Sequence, residues 1–184
     1  MLQHFLAHFC RMFTVEWNAS HDSLKKGLGF SPVKFGISFT LTHLNQAGAL
    51  VHVYQDGSVH LNHGGTEMGQ GLFQKVAQVA ASRFDIPLEM VRITATDTAK
   101  VPNTSATAAS SGSDLNGMAV KAACDTIRDR MAGCLAGLYG GAAGDVRFED
   151  SAVYVGGKTL SFKPAARVVY EHRVSLSATG FYKT

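Results

Sequence analysis

The sequence is poor in cysteine, and its three cysteines show no cross-linking or metal-binding pattern. Cys10, Cys124 and Cys134 form no CxxC or CxxH motif, and their odd number has no pairing rhythm. A disulfide framework and a cysteine zinc site are therefore not expected. This cysteine usage indicates reduced thiols and a cytoplasmic location.

Long apolar runs are also missing. No segment reaches the roughly 20 apolar residues that a membrane-spanning helix needs, so no membrane partner is expected. The apolar residues of segment 1–13 are interrupted by His4, His8 and Arg11, and no small-residue cleavage site follows them. A secretory signal peptide is therefore not expected, and the spacing of the apolar residues favours a short amphipathic helix instead.

Charge of one sign is scarce as well. The chain carries 17 Lys and Arg against 14 Asp and Glu, for a formal net charge of +3, and the basic residues are scattered. A nucleic-acid partner is therefore not expected. An apolar content of 46% over 184 residues is typical of a soluble globular protein with one domain or two small ones.

Glycine and hydroxyl side chains concentrate in two segments. The first reads HGGTEMGQGL over residues 63–72, and the second reads NTSATAASSGSD over residues 103–114. Each follows a strand-like run and opens a helix-like run, which directs backbone N–H groups and a positive helix end toward an anion. We expect parallel strands ending near His63 and Thr96 to bring both helix starts to one cleft, which would hold one large phosphate-bearing cofactor.

The hydrophobic periodicity predicts an α+β (mixed α/β) fold. Helices are predicted over 1–18, 72–84, 113–138 and 164–170, and strands over 33–42, 49–54, 58–63, 90–96, 146–148 and 153–155. Asp56-Gly57 between two alternating runs is a strong hairpin signal. The polar tail 175–184 carries no element signal and is interpreted as a domain interrupted in the middle.

In the first segment, four glycines let the backbone approach a ligand closely. Gln70 lies between two of them and offers both a donor and an acceptor, which suits a heterocycle edge or a metal-oxo group. We expect its amide to project into the cleft without a protein partner. The other interpretation is an ordinary strand-to-helix turn, because the segment is neither a Walker loop nor a GxGxxG motif.

The second segment carries six hydroxyl groups within ten residues. Ser111 or Ser113 is expected to cap the following helix, but one cap does not account for the other hydroxyls. The small residues among them would let a flat ligand reach the backbone. These features favour a ligand site over a cap alone.

A metal held by protein side chains is not expected. His60 and His63 lie three apart in a predicted strand and therefore point to opposite faces, so they would not share an ion with Glu67. No Ser-His-Asp or Cys-His spacing stands out either.

Taken together, these segments resemble the molybdenum-cofactor domain of the xanthine dehydrogenase/xanthine oxidase family over residues 17–184. Residues 63–72 and 103–118 are similar to two of that family's cofactor-contact segments. The other similar stretches are GLG at 27–29, PVKFGISFT at 32–40, LNQAGALVHVY at 44–54 and LSATGFY at 176–182.

The resemblance implies part of a molybdopterin-dependent hydroxylase that hydroxylates purines with oxygen from water. Electrons would pass from molybdenum through 2Fe-2S clusters to FAD, located elsewhere in an oligomeric full enzyme. The molybdopterin dithiolene would hold the metal, so no catalytic or metal-ligating residue is assigned in this chain. Carried over by position, the residues that would contact the cofactor are Met68, Gly69, Gln70, Ala108, Ala109, Ser110 and Ser111.

The sequence also departs from the family. The arginine-containing substrate loop and the segment that supplies the catalytic glutamate are missing, and Glu67 matches a different family position. Residues 1–26 are interpreted as an unmatched helix and linker. The resemblance implies that residues 27–184 are a partial molybdenum-cofactor domain, incomplete at both ends. We therefore expect the isolated chain to be inactive. The alternatives are a phosphate- or nucleotide-binding module without catalysis and an inert remnant.

Overall fold

A computed structural model describes residues 2–29, 31, 36–94, 96–100 and 104–184, with side chains from residue 11 onward. The chain divides into two compact units, Met1–Gly36 and Ile37–Thr184, whereas the sequence places its boundary between residues 26 and 27. None of the helices in the described ranges is long and apolar enough to cross a bilayer.

The first unit contains helix α1 (Leu2–Ser20), as its periodicity predicts. The chain folds back after the helix, because the Asn18 side chain donates to the Lys26 carbonyl and accepts from the Lys26 N–H. Trp17 anchors this turn: the His21 ring stacks on it at 3.8 Å and the Lys26 ammonium lies 3.5 Å from its centroid.

The second unit contains two sheets and three helices within the described residues. In chain order these are β1 (Gln46–Val53), β2 (Val59–His63), α2 (Leu72–Phe84), β3 (Val91–Ile93), α3 (Gly112–Tyr139), β4 (Arg147–Glu149), β5 (Ala152–Val155), β6 (Lys158–Ser161), α4 (Phe162–Glu171) and β7 (Ser177–Lys183). The larger sheet has the order β3-β2-β1-β7, and the smaller has the order β4-β5-β6. This architecture confirms the α+β class.

Strand β1 is central to the larger sheet and pairs antiparallel with both β2 and β7, whereas β2 and β3 run parallel. The β1–β2 hairpin turns at Asp56-Gly57, as predicted. Gly57 has a φ of +83°, and one Asp56 carboxylate oxygen accepts hydrogen bonds from both the N–H and the hydroxyl of Ser58.

The core lies between one face of this sheet and the helices α2 and α3. Alternate residues of β1 are fully or almost fully buried, which is the two-residue period of a strand with one solvated face. Residues of the two helices recur at three- and four-residue spacing on the buried side. These helix residues include Leu72, Val76, Ala80, Phe84, Leu115, Ala119, Ala123, Ile127 and Met131.

The predicted strand 33–42 does not form over its described part. Residues 36–41 are irregular, a short 3-10 turn covers Thr42–Leu44, and residues 33–35 lie outside the described residues. The buried Asn45 side chain makes the backbone hydrogen bonds that a neighbouring strand would otherwise make with Phe39. Its amide oxygen accepts from the Phe39 N–H, and its amide nitrogen donates to the Phe39 carbonyl.

The interpretation of the tail as lacking an element is wrong, because residues 177–183 form β7. Their alternation matches the register with β1, with Ala178 and Gly180 buried and Thr179 and Phe181 exposed. Small buried residues obscure this pattern in the sequence. Strand β6 is also missed, because its short polar run follows a glycine turn. In the predicted strand 90–96, Ala95 lies outside the described residues.

Gly180 allows the closest approach between the sheet and helix α3. A Cβ at this position would lie 1.9 Å from the carbonyl oxygen of Ala119 and 2.7 Å from the backbone nitrogen of Ala123. Since both atoms belong to a helix backbone, they cannot rotate away. Any side chain would force α3 and β7 apart.

We therefore predict opposite effects for the same substitution at two glycines. Gly180→Ala should lower the free energy of unfolding by at least about 2 kcal/mol, because it overpacks the α3–β7 contact. Gly133→Ala, on α3 where the added methyl meets nothing within 4 Å, should raise it by about 0.5–1 kcal/mol through helix propensity. Urea denaturation measures both, and equal effects at the two sites would contradict the packing described.

Candidate functional site

Parallel pairing brings the two predicted ligand segments to one edge of the sheet. Val59 and Leu61 of β2 pair with Val91 and Ile93 of β3, so both strands end on the same side. Beyond the strands, the Thr96 hydroxyl lies 3.2 Å from the carbonyl oxygens of both His63 and Gly65. This confirms the expected parallel arrangement and fixes the start of the first segment.

Further contacts hold the two segments together. The Thr66 N–H donates to the Thr107 hydroxyl at 2.8 Å. Gly64 lies so close to Thr104 that a Cβ would be 2.5 Å from the threonine Cβ. The glycine is therefore required for the close approach of the second segment.

A cleft of about 410 Å³ opens between the segments, at the first turns of α2 and α3. This confirms that both helix starts share one cleft. The nine lining residues are Met68, Gln70, Leu72, Lys75, Thr107, Ala108, Ser110, Gly112 and Ser113.

Four of the seven predicted cofactor contacts line this cleft, namely Met68, Gln70, Ala108 and Ser110. The other three are Gly69, Ala109 and Ser111, which lie beside lining residues in the chain without lining the cleft themselves. Ser111 is buried, with 1% of its surface exposed.

The free backbone N–H groups at the N-terminus of α2 are hydrogen-bonded by a side chain of the first segment. The Glu67 carboxylate accepts hydrogen bonds from the backbone N–H groups of Gly69, Gly71 and Phe73 at 2.8–3.0 Å. The bond from Phe73, with those from Gly71 and Gly69, holds the pKa of Glu67 below its usual range. The expectation that this helix end faces the anion of a ligand is therefore wrong, because the Glu67 carboxylate of the protein itself occupies it.

Gln70 also differs from expectation. Its amide oxygen accepts from the Met68 N–H at 2.6 Å, and its amide nitrogen donates to the Thr66 carbonyl at 2.9 Å. The prediction of an unpaired amide is therefore wrong: the side chain braces its own loop. It still lines the cleft.

The N-terminus of α3 is open by comparison. Ser111 is the N-cap residue, but its hydroxyl donates to the Ala108 carbonyl at 2.9 Å, and no side chain of the described residues caps the helix. The predicted serine cap is therefore wrong. Within the first turn, Gly112, Ser113 and Asp114 keep backbone N–H groups that have no partner within the helix.

The backbone before α3 is strained. Ala109 and Ser110 both adopt the left-handed conformation, with φ of +54° and +57°, and neither is glycine. The Ser38 N–H donates to the Ala109 carbonyl at 3.0 Å and helps to hold this geometry. Such strain costs of the order of 1–3 kcal/mol per residue and clusters at ligand sites. Together with the Lys75 ammonium on the facing helix, the open helix end suits an anion.

Behind the cleft lie two buried polar side chains, His63 and Asn116, which are 1% and 3% exposed. The Gly65 N–H donates to His63 Nδ1 at 3.1 Å, and Phe73 packs edge-on against the ring at 5.2 Å. Burial lowers the pKa of His63 to about 4, and the nearby Asn116 side chain opposes that shift although the two groups do not reach hydrogen-bonding geometry. His63 is therefore a neutral imidazole at physiological pH.

The other histidine of β2, His60, points away from the cleft, as expected. His60 pairs across the sheet with His52, and their rings lie 6.1 Å apart on the face opposite the core. Among the described residues, no group of three or more His, Cys, Asp or Glu side chains is arranged to hold a metal ion.

Sequence reasoning missed three contributors to the site: Glu67 as a cap, and Lys75 and Asn116 as parts of the surroundings. The Glu67 cap could have been inferred from an acidic residue four positions before the glycine that opens a helix. Lys75 lies one turn after Gly71 and therefore near the helix start. Asn116 has no signal of its own in the sequence, because its role depends on contact with a distant strand.

The buried neutral His63 predicts a specific pH dependence of stability. Unfolded His63 takes up a proton below about pH 6.5, whereas the folded form resists protonation until about pH 4. The unfolded state therefore binds more protons in this window, so stability falls as pH drops from 6.5 to 4, by about 3 kcal/mol in total. Urea denaturation across this range should show a shallower dependence for His63→Gln, and an unchanged dependence would contradict the assignment.

Comparison with known proteins agrees with this geometry. Residues 11–184 match the family model described as "Molybdopterin cofactor-binding domain". The chain is 50% identical over 169 residues to a xanthine dehydrogenase of Blastobotrys adeninivorans and 48% identical over 168 residues to a nicotinate hydroxylase of Emericella nidulans. These alignments cover 92% and 91% of this chain but only 11% of each relative.

The structural comparison points the same way. Quinoline 2-oxidoreductase from Pseudomonas putida 86 superposes with a TM-score of 0.69 at 25% identity, covering 75% of this chain and 19% of that one. The resemblance to the xanthine dehydrogenase/xanthine oxidase family drawn from the sequence is thus confirmed. Its fold, its paired loops and the match over residues 11–184 place this chain in the family of molybdopterin cofactor-binding domains.

Proposed function

We propose that the cleft between the two loops holds part of a molybdopterin cofactor, and that the chain is the cofactor-binding region of a xanthine dehydrogenase-like hydroxylase. The main support for this proposal is the N-terminus of α3, which has no side-chain cap, follows two strained residues and lines the same cleft as Lys75. The proposed contacts are Met68, Gly69, Gln70, Ala108, Ala109, Ser110 and Ser111, to which we add Lys75, Gly112 and Ser113.

The residues present fit such a group. Backbone N–H groups of the first turn of α3 and the Lys75 ammonium suit a phosphate, and the Ser110 and Ser113 side chains supply hydroxyl donors at the same edge. The apolar Met68 and Leu72 side chains line the same cleft and suit the face of a flat ring system. A metal carried by its own organic ligand needs no protein side chain to bind it.

The reaction is inferred from the relatives, of which this chain covers only 11%. We propose it for a longer protein that contains this chain, called the longer protein below. When bound, the cofactor would supply two-electron oxidation of a substrate carbon with oxygen from water. Relatives named for xanthine and for nicotinate are similarly identical to this chain, so we propose a nitrogen heterocycle as substrate, with a purine first. Electrons would leave through 2Fe-2S clusters to FAD in other parts of an oligomeric enzyme in the cytoplasm. The role of this chain is to bind and orient the cofactor.

The cleft lacks a general base. None of its nine lining residues in the described part of the chain carries a carboxylate, and Glu67 is engaged by three backbone N–H groups. Hydroxylation needs a group that removes a proton at the reacting oxygen. We therefore propose that the base is provided by another part of the enzyme.

This lack of a base predicts that the purified 184-residue chain will not hydroxylate xanthine. The test is an assay of the chain, supplied with molybdopterin and a dye acceptor, for urate formation. The longer protein prepared in parallel is the positive control. Molybdenum-dependent urate formation by the chain alone, well above background, would refute the proposal that the base lies elsewhere.

Charge and loop bracing at the cleft should control retention of the cofactor. In the longer protein, Lys75→Met should weaken binding by about 1 kcal/mol, a roughly fivefold faster loss on dialysis, because it removes a cation facing the phosphate. Lys75→Arg should retain the cofactor. Molybdenum per subunit against dialysis time is the readout.

Gln70→Ala should also speed loss of the cofactor from the longer protein. The free energy of unfolding should fall by no more than about 1 kcal/mol, because the loop is exposed. The same dialysis measurement, with urea denaturation, tests this prediction.

Two substitutions away from the cleft serve as matched controls. Lys163→Met removes an exposed cation on α4, and Gln74→Ala truncates an exposed glutamine one turn beyond Gln70. Both should match wild type. If Lys75→Met also matched wild type while the isolated chain bound nucleotides, the cleft would be a nucleotide-binding module, and the proposed function would be wrong.

A further inference from the structure

A chain of hydrogen bonds runs from the first loop toward the first turn of α3, with one link open. At one end, the Gly65 N–H donates to His63 Nδ1 at 3.1 Å. At the other, the Asn116 amide nitrogen donates to the Gly112 carbonyl at 2.8 Å. The two inner atoms, His63 Nε2 and Asn116 Oδ1, are buried and have no hydrogen-bond partner in the described part of the chain.

The two outer hydrogen bonds determine which of the two inner atoms is a donor and which is an acceptor. A ring nitrogen that accepts a hydrogen bond carries no proton, so the neutral His63 ring has its proton on Nε2 and is a donor there. An amide whose nitrogen donates to a carbonyl presents its oxygen as an acceptor, which assigns Oδ1 of Asn116. The Asn116 side chain packs against Gly65 and acts on the pKa of His63, so this buried donor and this buried acceptor are neighbours. Leaving both unpaired is unfavourable.

The surroundings confine this pair to the contact between the loops. A Cβ on Gly65 would lie 2.8 Å from Asn116 Nδ2 and 2.7 Å from a Leu72 methyl, so the first loop packs directly on Asn116. Gly112, which is at the other end of this series of hydrogen bonds, lines the cleft. A small shift of α3 relative to the first loop therefore changes both the cleft and the distance between the two side chains.

We propose that His63 and Asn116 are positioning residues that set the spacing of the two loops, and that a hydrogen bond from His63 Nε2 to Asn116 Oδ1 forms when the cleft is occupied. This inference rests on the proposed function for the identity of the occupant. Neither residue lines the cleft. Each acts through a glycine backbone, His63 through Gly65 and Asn116 through Gly112.

Three variants separate the proposed link from its two flanking bonds. His63→Asn keeps an acceptor for the Gly65 N–H but loses the donor toward Asn116, whereas His63→Gln keeps that donor and loses the acceptor for the Gly65 N–H. Asn116→Ser keeps a donor for the Gly112 carbonyl, four residues earlier in the helix, but removes the amide oxygen Oδ1, and the shorter serine side chain does not replace it toward His63. The conservative His63→Gln therefore tests the link itself and not the space that the ring fills.

The experiment measures release of molybdopterin from the longer protein, as molybdenum and pterin fluorescence per subunit over time. His63→Asn and Asn116→Ser should each speed release about tenfold, and the double variant should be no faster than either, because one link is lost in all three. His63→Gln should stay within about threefold of wild type. Multiplying effects in the double variant, or His63→Gln as fast as His63→Asn, would overturn the proposal.

A measurement on the wild-type protein keeps the proposal testable if a variant fails to fold. In a crystal structure of the cofactor-loaded protein, the distance from His63 Nε2 to Asn116 Oδ1 should fall within the roughly 2.7–3.2 Å of a hydrogen bond. A longer distance in the loaded protein would overturn the link. If wild type retains no cofactor, the proposed function fails as well. If Lys75→Met loses cofactor and His63→Asn does not, only the present inference fails.

Discussion

The parallel pairing of β2 with β3 is the constraint on which the rest of the site depends. Because the strands run in the same direction, the chain must return through α2 and both strands end at one edge of the sheet. The two loops that follow therefore begin side by side. Thr96 and Thr107 then tie them together with hydroxyl groups. An antiparallel β3 would place its following loop at the opposite edge, with no shared cleft.

The two helix ends at this edge perform different tasks. The end of α2 is closed by the Glu67 carboxylate, which makes its loop rigid and leaves no positive end for a ligand. The end of α3 has no side-chain cap among the described residues, and it follows two strained residues, Ala109 and Ser110. The first loop is thus held by its own side chains, whereas the second presents the open helix end at which we propose that the cofactor binds. Lys75 on α2 adds a cation to the lining of the cleft.

Much of this arrangement could be predicted from the sequence, because it depends on local patterns. The glycine and hydroxyl segments, the Asp-Gly hairpin and the apolar stripes of α2 and α3 each have a short-range signature, and the shared cleft follows from them. The misses involve long-range contacts. Strand β7 reads as a polar tail because its core positions, Ala178 and Gly180, are small, and the backbone of α3 leaves no room for a side chain at Gly180. Segment 36–41 reads as a strand, but the Asn45 side chain satisfies its backbone instead. The pairing of the Gln70 amide within its own loop has no sequence signal that separates it from a ligand contact.

The most direct test of the central claim is a crystal structure of the longer protein with its cofactor bound, using anomalous scattering to locate molybdenum and phosphorus. We expect cofactor density in the cleft, with an anionic group within hydrogen-bonding distance of the N–H groups of Gly112 and Ser113 and near the Lys75 ammonium. Cofactor density that contacts neither loop, with only solvent between Gln70 and Ser110, would contradict the account.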